Sequence, residues 1–294
     1  MIQKRFGSAD STGKKLDVIE RYLAVYQKAL SNKFDTLYVD GFAGSGEIPL
    51  GEHDSELFDL EVERVLTGSA ERAWRVMPPF TRYIFIDKRK RCIDALEARF
   101  ANEPNATRAD YRIGDANEHI QSICNKEVWR RQRGVVLLDP FGSQVAWPTI
   151  EAIAKTRALD LWYLFPAGVS IFRQIARDGT IDPTHIDAIT RIVGTEDWRE
   201  AFLQPSSQPD LFHTEPTNEK VVTPESAAQY MIQRLKSVFE GGVLDVMIPL
   251  GRHTYPSYYL LFAWGNPDEK ARVLASKLAR AAVKATDRKY GRLI

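Results

Sequence analysis

Four short stretches bring together residue types that could do chemistry. Residues 39–47 read VDGFAGSGE, an acid followed by three glycines within six residues. YIFID (83–87) and VVLLD (135–139) are apolar runs that also end in Asp, and Gly114-Asp115-Ala116 supplies a fourth acid. Glycine allows positive φ and lets a ligand touch main-chain atoms, so the glycine stretch marks close approach to the backbone. The spacing Gly41-x-x-Gly44-x-Gly46 is not the G-x-G-x-x-G of dinucleotide binding. No G-K-[ST] follows that would cradle phosphates. A phosphate-free adenosine ligand with a cationic end, S-adenosylmethionine, suits this arrangement. Asp40 could meet its ammonium and sulfonium, and Gly41, Phe42, Ala43, Gly44 and Gly46 would form the loop against it. Asp87, with neighbouring Lys88, could accept both ribose hydroxyls. Asp115, with Ala116, could take the adenine amine. Each Asp taken alone also reads as a cap of the helix that follows it.

These residues need elements to position them. LDVIERYLAVYQKAL (16–30) has apolar residues at helical spacing. Short apolar runs at 36–40, 83–87, 135–139 and 159–165 alternate with amphipathic segments at 69–76, 90–100, 116–129 and 147–156, and a weaker strand falls at 109–113. Such alternation means a mostly parallel sheet covered on both faces, with ligands bound beyond the carboxyl ends of the strands. Asp40, Asp87 and Asp139 would then share one crevice. Residues 243–251 and 258–265 read as an antiparallel edge pair. They follow a helix that has Pro224 in its first turn and precede a last helix started at 266–269. The fold class is therefore a Rossmann-like α/β domain spanning 1–294. It has an N-terminal arm and helix (1–35), an insertion at 47–67 and a mostly helical insertion at 173–222.

The motifs resemble those of known families. Asp40, Phe42, Gly44 and Gly46 resemble the F-x-G-x-G motif of nucleic-acid amino-methyltransferases, within class I S-adenosylmethionine-dependent methyltransferases. YVDGFAGSGE, YIFIDK and LLDPFGS in this order, the helix GKKLDVIERYLAVY and the strand YYLLFAW resemble the three-Cys-motif partner proteins, the TcmP family. The resemblance covers most of the chain. It implies a methyltransferase-like fold and a partner protein with a three-cysteine, radical-SAM-like motif. Asp139-Pro140-Phe141-Gly142 is similar to the [DNS]-P-P-[YFW] motif and to the D-P-F-G-S of enzymes that methylate a guanine amine in transfer RNA. An exocyclic amine is a poor nucleophile because its lone pair is delocalised. Asp139 and the Pro140 carbonyl, accepting its two N–H bonds, could aim that lone pair at the methyl group. Phe141 would stack on an extruded base. The aromatic stands one place earlier than in many amino-methyltransferases, so it could pack on the cofactor adenine instead.

The remaining features narrow the function. The net charge of +1 gives no overall pull toward nucleic acid, so such binding must use local patches. The candidates are Lys14-Lys15, Lys88 to Arg91, Arg130-Arg131-Arg133, and Lys277, Arg280, Lys284 and Arg288 on one face of the last helix. Trp147 and Trp162 could stack on bases or belong to the core. Two isolated cysteines, Cys92 and Cys124, and five scattered histidines predict no metal and fit a reducing, cytoplasmic setting. No membrane segment is expected. Two functions follow: a methyltransferase acting on an exocyclic amine of a base in DNA or RNA, or a non-catalytic S-adenosylmethionine- or nucleotide-binding partner of the three-cysteine protein.

Overall fold

The computed structural model describes residues 8–48, 66–206, 218–251 and 255–290. Helix α1 (Ser8–Leu30) precedes strand β1 (Asp35–Asp40). A small antiparallel pair, β2 (Glu47–Ile48) and β3 (Leu66–Thr67), closes the ends of the first predicted insertion, whose residues 49–65 lie outside the described residues. The alternating unit follows as α2 (Ser69–Trp74), β4 (Arg82–Asp87), α3 (Lys90–Phe100), β5 (Ala109–Ile113), α4 (Ala116–Lys126), β6 (Gln132–Leu138), α5 (Trp147–Lys155) and β7 (Leu159–Phe165). The second insertion contains α6 (Pro183–Val193), α7 (Trp198–Phe202) and the pair β8 (Leu203–Pro205) and β9 (Asn218–Lys220). Residues 207–217 are outside the described set. The chain ends with α8 (Pro224–Lys236), β10 (Gly242–Val243), β11 (Ile248–Gly251), β12 (Pro256–Trp264) and α9 (Glu269–Tyr290).

The main sheet runs β10-β12-β7-β6-β1-β4-β5, and β11 also pairs with β12. Strands β5, β4, β1, β6 and β7 are parallel, whereas β12 is antiparallel to β7. The expected strand at 243–251 is two short pieces, each paired with β12. Among the described residues, no helix is long and apolar enough to cross a membrane.

Side-chain alternation divides each strand between two cores. Val39, Ile84, Val136 and Leu161 pack on one face with Ile120, Ile150 and Met231 of α4, α5 and α8. Tyr38, Tyr83, Phe85, Val135 and Trp162 face the opposite layer with Tyr22, Phe100 and Ala279 of α1, α3 and α9. All seven residues of β7 are buried, as a strand covered on both faces requires. Trp162 is inside this second core, edge-on to Tyr22 at 5.4 Å and 4.5 Å from Phe262 between ring centroids. Trp147 is likewise buried under Arg234. Neither ring offers a surface for stacking a base. Parallel register places the ends of β1, β4 and β6 side by side: Asp40 lies opposite Phe85 and Leu137, one residue before Leu138-Asp139.

Candidate active site

The loop after β1 is strapped to both neighbouring strands. Gly41 N–H donates to the Leu137 carbonyl at 3.0 Å, and Ala43 N–H donates to the Ile86 carbonyl at 2.9 Å. Gly44 (φ +62°) and Gly46 (φ +81°) both adopt the left-handed conformation. A Cβ on Gly44 would meet no atom within 4 Å, so that face of the loop opens into space. A Cβ on Gly46 would lie 2.9 Å from the Leu96 side chain, which explains the second glycine by packing.

Asp40 holds this loop from inside. Its Oδ1 accepts from Phe42 N–H at 3.1 Å, and its Oδ2 accepts from the Ser69 hydroxyl at 2.6 Å and the Tyr38 hydroxyl at 3.2 Å. It is fully buried, and burial pushes its carboxyl up to about 6 despite those hydrogen bonds. The expected contact of Asp40 with a cofactor ammonium differs from what the structure shows. Both oxygens are engaged within the protein, and the residue does not line the cleft.

Asp87 stands one hydrogen bond behind the loop. Its Oδ2 accepts from Gly44 N–H at 3.1 Å, and its Oδ1 accepts from Arg89 N–H at 2.8 Å. The Arg89 guanidinium reaches both oxygens, at 3.1 and 3.2 Å. Burial alone would raise the Asp87 carboxyl, but the Arg89 and Gly44 donors outweigh it and hold it below its ordinary value. Asp115 caps α4 by accepting from Asn117 N–H at 2.7 Å, and its other oxygen pairs with Lys88 at 2.6 Å. Those donors hold its carboxyl low against partial burial.

A cleft of about 860 Å³ opens beyond the strand ends. Phe42, Ala43, Gly44, Gly46, Asp139, Pro140 and Phe141 all line it, so the structure brings the glycine loop and the Asp-Pro-Phe turn together. Gly41, Asp87, Lys88, Asp115 and Ala116 do not line it, so of the three strand-end acids expected to share the crevice only Asp139 does. Asp115 behaves as the helix cap that its position also allowed, and Ala116 is buried in the first turn of α4. In the turn after β6, Phe141 N–H donates to Gln144 Oε1 at 2.8 Å, and Gly142 (φ +97°) reverses the chain. This leaves the Phe141 ring 80% exposed.

Two cations that sequence reasoning offered as nucleic-acid patches are instead paired with acids of the site. Lys15 Nζ of α1 pairs with Asp139 Oδ2, and both side chains are largely buried. The signal was available, because Lys15 falls on the same helical stripe as Val18, Ile19 and Tyr22. Arg89 clasps Asp87 and lines the cleft. The basic run 88–91 is thus mostly consumed internally: Lys88 on Asp115, Arg89 on Asp87 and Lys90 on Asp94. Arg91 lines the cleft with no ion-pair partner among the described residues.

Topology and strand-end loops define a Rossmann-like α/β protein with a mostly parallel mixed sheet. Protein LPL1258 of Legionella pneumophila str. Philadelphia 1, from the family DUF519, superposes with a TM-score of 0.51 at 11% identity, over 94% of this chain and 91% of that one. Spermidine synthase from Thermotoga maritima overlaps more loosely (TM-score 0.41, 11% identity, 93% and 72% covered). So does an S-adenosylmethionine-dependent methyltransferase from Clostridium acetobutylicum (0.36, 12%, 86% and 92%). At these identities the likeness is one of fold. Comparison of the sequence with protein-family models and with characterised proteins finds no match.

Proposed function

We propose that this protein is an S-adenosylmethionine-dependent methyltransferase acting on an exocyclic amine of a nucleobase in DNA or RNA, and that it is a three-Cys-motif partner protein. One observation carries the reading. A single cleft has the open-faced glycine loop on one wall and Asp139-Pro140-Phe141 on another.

The residues present fit the cofactor at its methionine and ribose end. The left-handed Gly44 leaves space where a side chain would stand, and the cleft volume suits a ligand of this size. The main chain of 42–46 would pack on it, and Asp87 would take the ribose hydroxyls once Arg89 moves aside. Asp40 acts through the loop rather than on the ligand. Arg91 is the cleft cation available to a carboxylate, since Lys15 is paired with Asp139. Contacts of Asp115 and Ala116 with the adenine would require the exposed Lys88 to leave Asp115. When bound, the cofactor supplies an electrophilic methyl group.

The chain's own contribution is alignment. Lys15 engages Asp139 Oδ2, and Oδ1 has no protein donor among the described residues. That oxygen and the Pro140 carbonyl would accept the two N–H bonds of the base amine and orient its lone pair. The exposed Phe141 ring would cover the base. Labelled methyl transfer to DNA and RNA tests this. Asp139→Ala should abolish transfer and spare binding of S-adenosylhomocysteine. Loss of that binding would put Asp139 in the cofactor site instead.

The Lys15 clasp on Asp139 and the Arg89 clasp on Asp87 favour a second reading, a binding partner of the three-cysteine protein with no transfer of its own. Tight cofactor binding with no label on either nucleic acid, with or without that neighbour, would select it.

A further inference from the structure

The cleft does not end at Asp139. Ser257 borders both it and a second hollow of about 430 Å³, lined by Phe172, Arg173, Pro224, Tyr255 and Pro256. The floor of this hollow is a backbone contact between the turn after β7 and the start of β12. A Cβ on Gly168 would come within 2.3 Å of the Pro256 carbonyl oxygen, so the two segments touch without intervening side chains. The walls are aromatic and cationic. The Phe172 and Tyr255 rings stack at 5.5 Å with a 15° angle between planes. Phe172 is fixed in turn by Lys220, whose ammonium lies 3.5 Å from its ring centroid and donates to the carbonyls of Phe172 and Ile175 at 2.5 and 2.9 Å. Tyr255 is 57% exposed, so its outer face is available. Arg173 is also exposed and has no ion-pair partner among the described residues.

A solvent-facing aromatic stacked on a fixed ring, beside a guanidinium with no ion pair among the described residues, matches a nucleotide, with a π-face for its base and a planar donor for its phosphate. We propose that this hollow seats the nucleotide adjacent to the target in a single-stranded nucleic acid, its base stacked on Tyr255 and its phosphate held by Arg173. The proposal rests on the nucleobase reading of the main cleft and specifies it: the substrate is a polymer strand, gripped one unit away from the reacting base. A duplex would keep that neighbouring base inside its own stack and leave Tyr255 unused.

Equilibrium binding of fluorescent single-stranded DNA and RNA 12-mers, their duplexes and a nucleoside monophosphate tests it without requiring methyl transfer. Tyr255→Ala should weaken single-strand binding about tenfold, and Tyr255→Phe should restore it. Arg173→Gln should weaken it and reduce its salt dependence. The monophosphate, which offers one base and one phosphate, should bind more weakly than the 12-mer and should weaken further in both variants. Titration with S-adenosylhomocysteine, read at the opposite end of the cleft, reports that each variant is folded. No single-strand binding by the unmodified protein, monophosphate binding as tight as that of the 12-mer, or duplex binding as tight as single-strand binding would each overturn the proposal. Failure of the two readings is separable. Labelled nucleic acid with no effect of Tyr255→Ala removes the hollow and keeps the transferase. The Tyr255 effect without any label does the reverse.

Discussion

Replacing Arg89 with alanine should tighten binding of an adenosine ligand rather than weaken it. The Arg89 guanidinium donates to both oxygens of Asp87, the two atoms that a ribose diol would need. Any ligand using them must first displace it. The variant loses those two donors but keeps Gly44 N–H and the residue 89 backbone N–H on the carboxylate. Two charge-assisted bonds would be worth several kcal/mol if buried. The Arg89 side chain is 48% exposed, which brings the pair down to the range of a solvent-screened contact, about 1 kcal/mol. Removing that competition corresponds to a roughly fivefold lower Kd. Calorimetric titration with S-adenosylhomocysteine at low and high salt measures it. The unmodified protein should gain affinity as salt screens the Arg89–Asp87 pair, and Arg89→Ala should show a smaller salt effect. Weaker binding by the variant would refute the reasoning, because Arg89 would then be a ligand contact rather than a competitor. Equal affinity for ribose and 2′,3′-dideoxyribose forms would refute the role of Asp87 itself.

Other perturbations read other parts of the site. Gly46→Ala should cost about 1–2 kcal/mol in thermal unfolding from its left-handed backbone, plus the clash with Leu96, whereas Gly44→Ala should carry the backbone cost alone. Gly44→Val should abolish cofactor binding in a calorimetric titration. Lys15→Met should lower stability by about 1–3 kcal/mol by leaving Asp139 unpaired in a largely buried position. Adding Asp139→Asn should recover much of that in urea unfolding without recovering transfer. Asp40 and Asp160 are buried carboxylates pushed up to about 6 and about 7, the latter beside the Tyr22 hydroxyl at 2.6 Å. Between their ordinary value and these, the folded protein binds more protons than the unfolded chain, so stability should rise as pH falls from 7.5 toward 5.5. Asp40→Asn should remove roughly 1 kcal/mol of that dependence between pH 7.5 and 5.5, measured by urea titration across the range. Below about pH 4 the low carboxyls of Asp87 and Asp115 act in the opposite direction, and stability should fall.

The order of strands and helices was legible because β1, β4, β6 and β7 are short apolar runs with a two-sided burial requirement, which local sequence records directly. The glycine loop and the Asp139 turn were legible for a related reason: positive φ and a proline leave few choices of residue. What escaped depends on tertiary partners. Lys15 and Asp139 are 124 positions apart, and nothing in either segment names the other. Asp40 and Asp87 are both acids at strand ends, yet Ser69 of the next helix encloses the first and Arg89, which itself lines the cleft, covers the second. Both tryptophans near the site went to the core, since an indole satisfies a large buried volume as readily as a stacking role. The division of residues 243–251 into two strands follows from β12, whose nine residues offer more edge than one short strand covers.

Helix α1 lies against α9, and Lys289 near the end of the chain bonds Asp17 at 2.5 Å, two residues beyond Lys15. The two extremities of the described chain are thereby tied beside the cation that holds Asp139. Trimming the final helix would loosen the seat of the first and, through it, the charge on the cleft wall. A fusion or protease cut far from residue 139 in sequence would be felt there nonetheless.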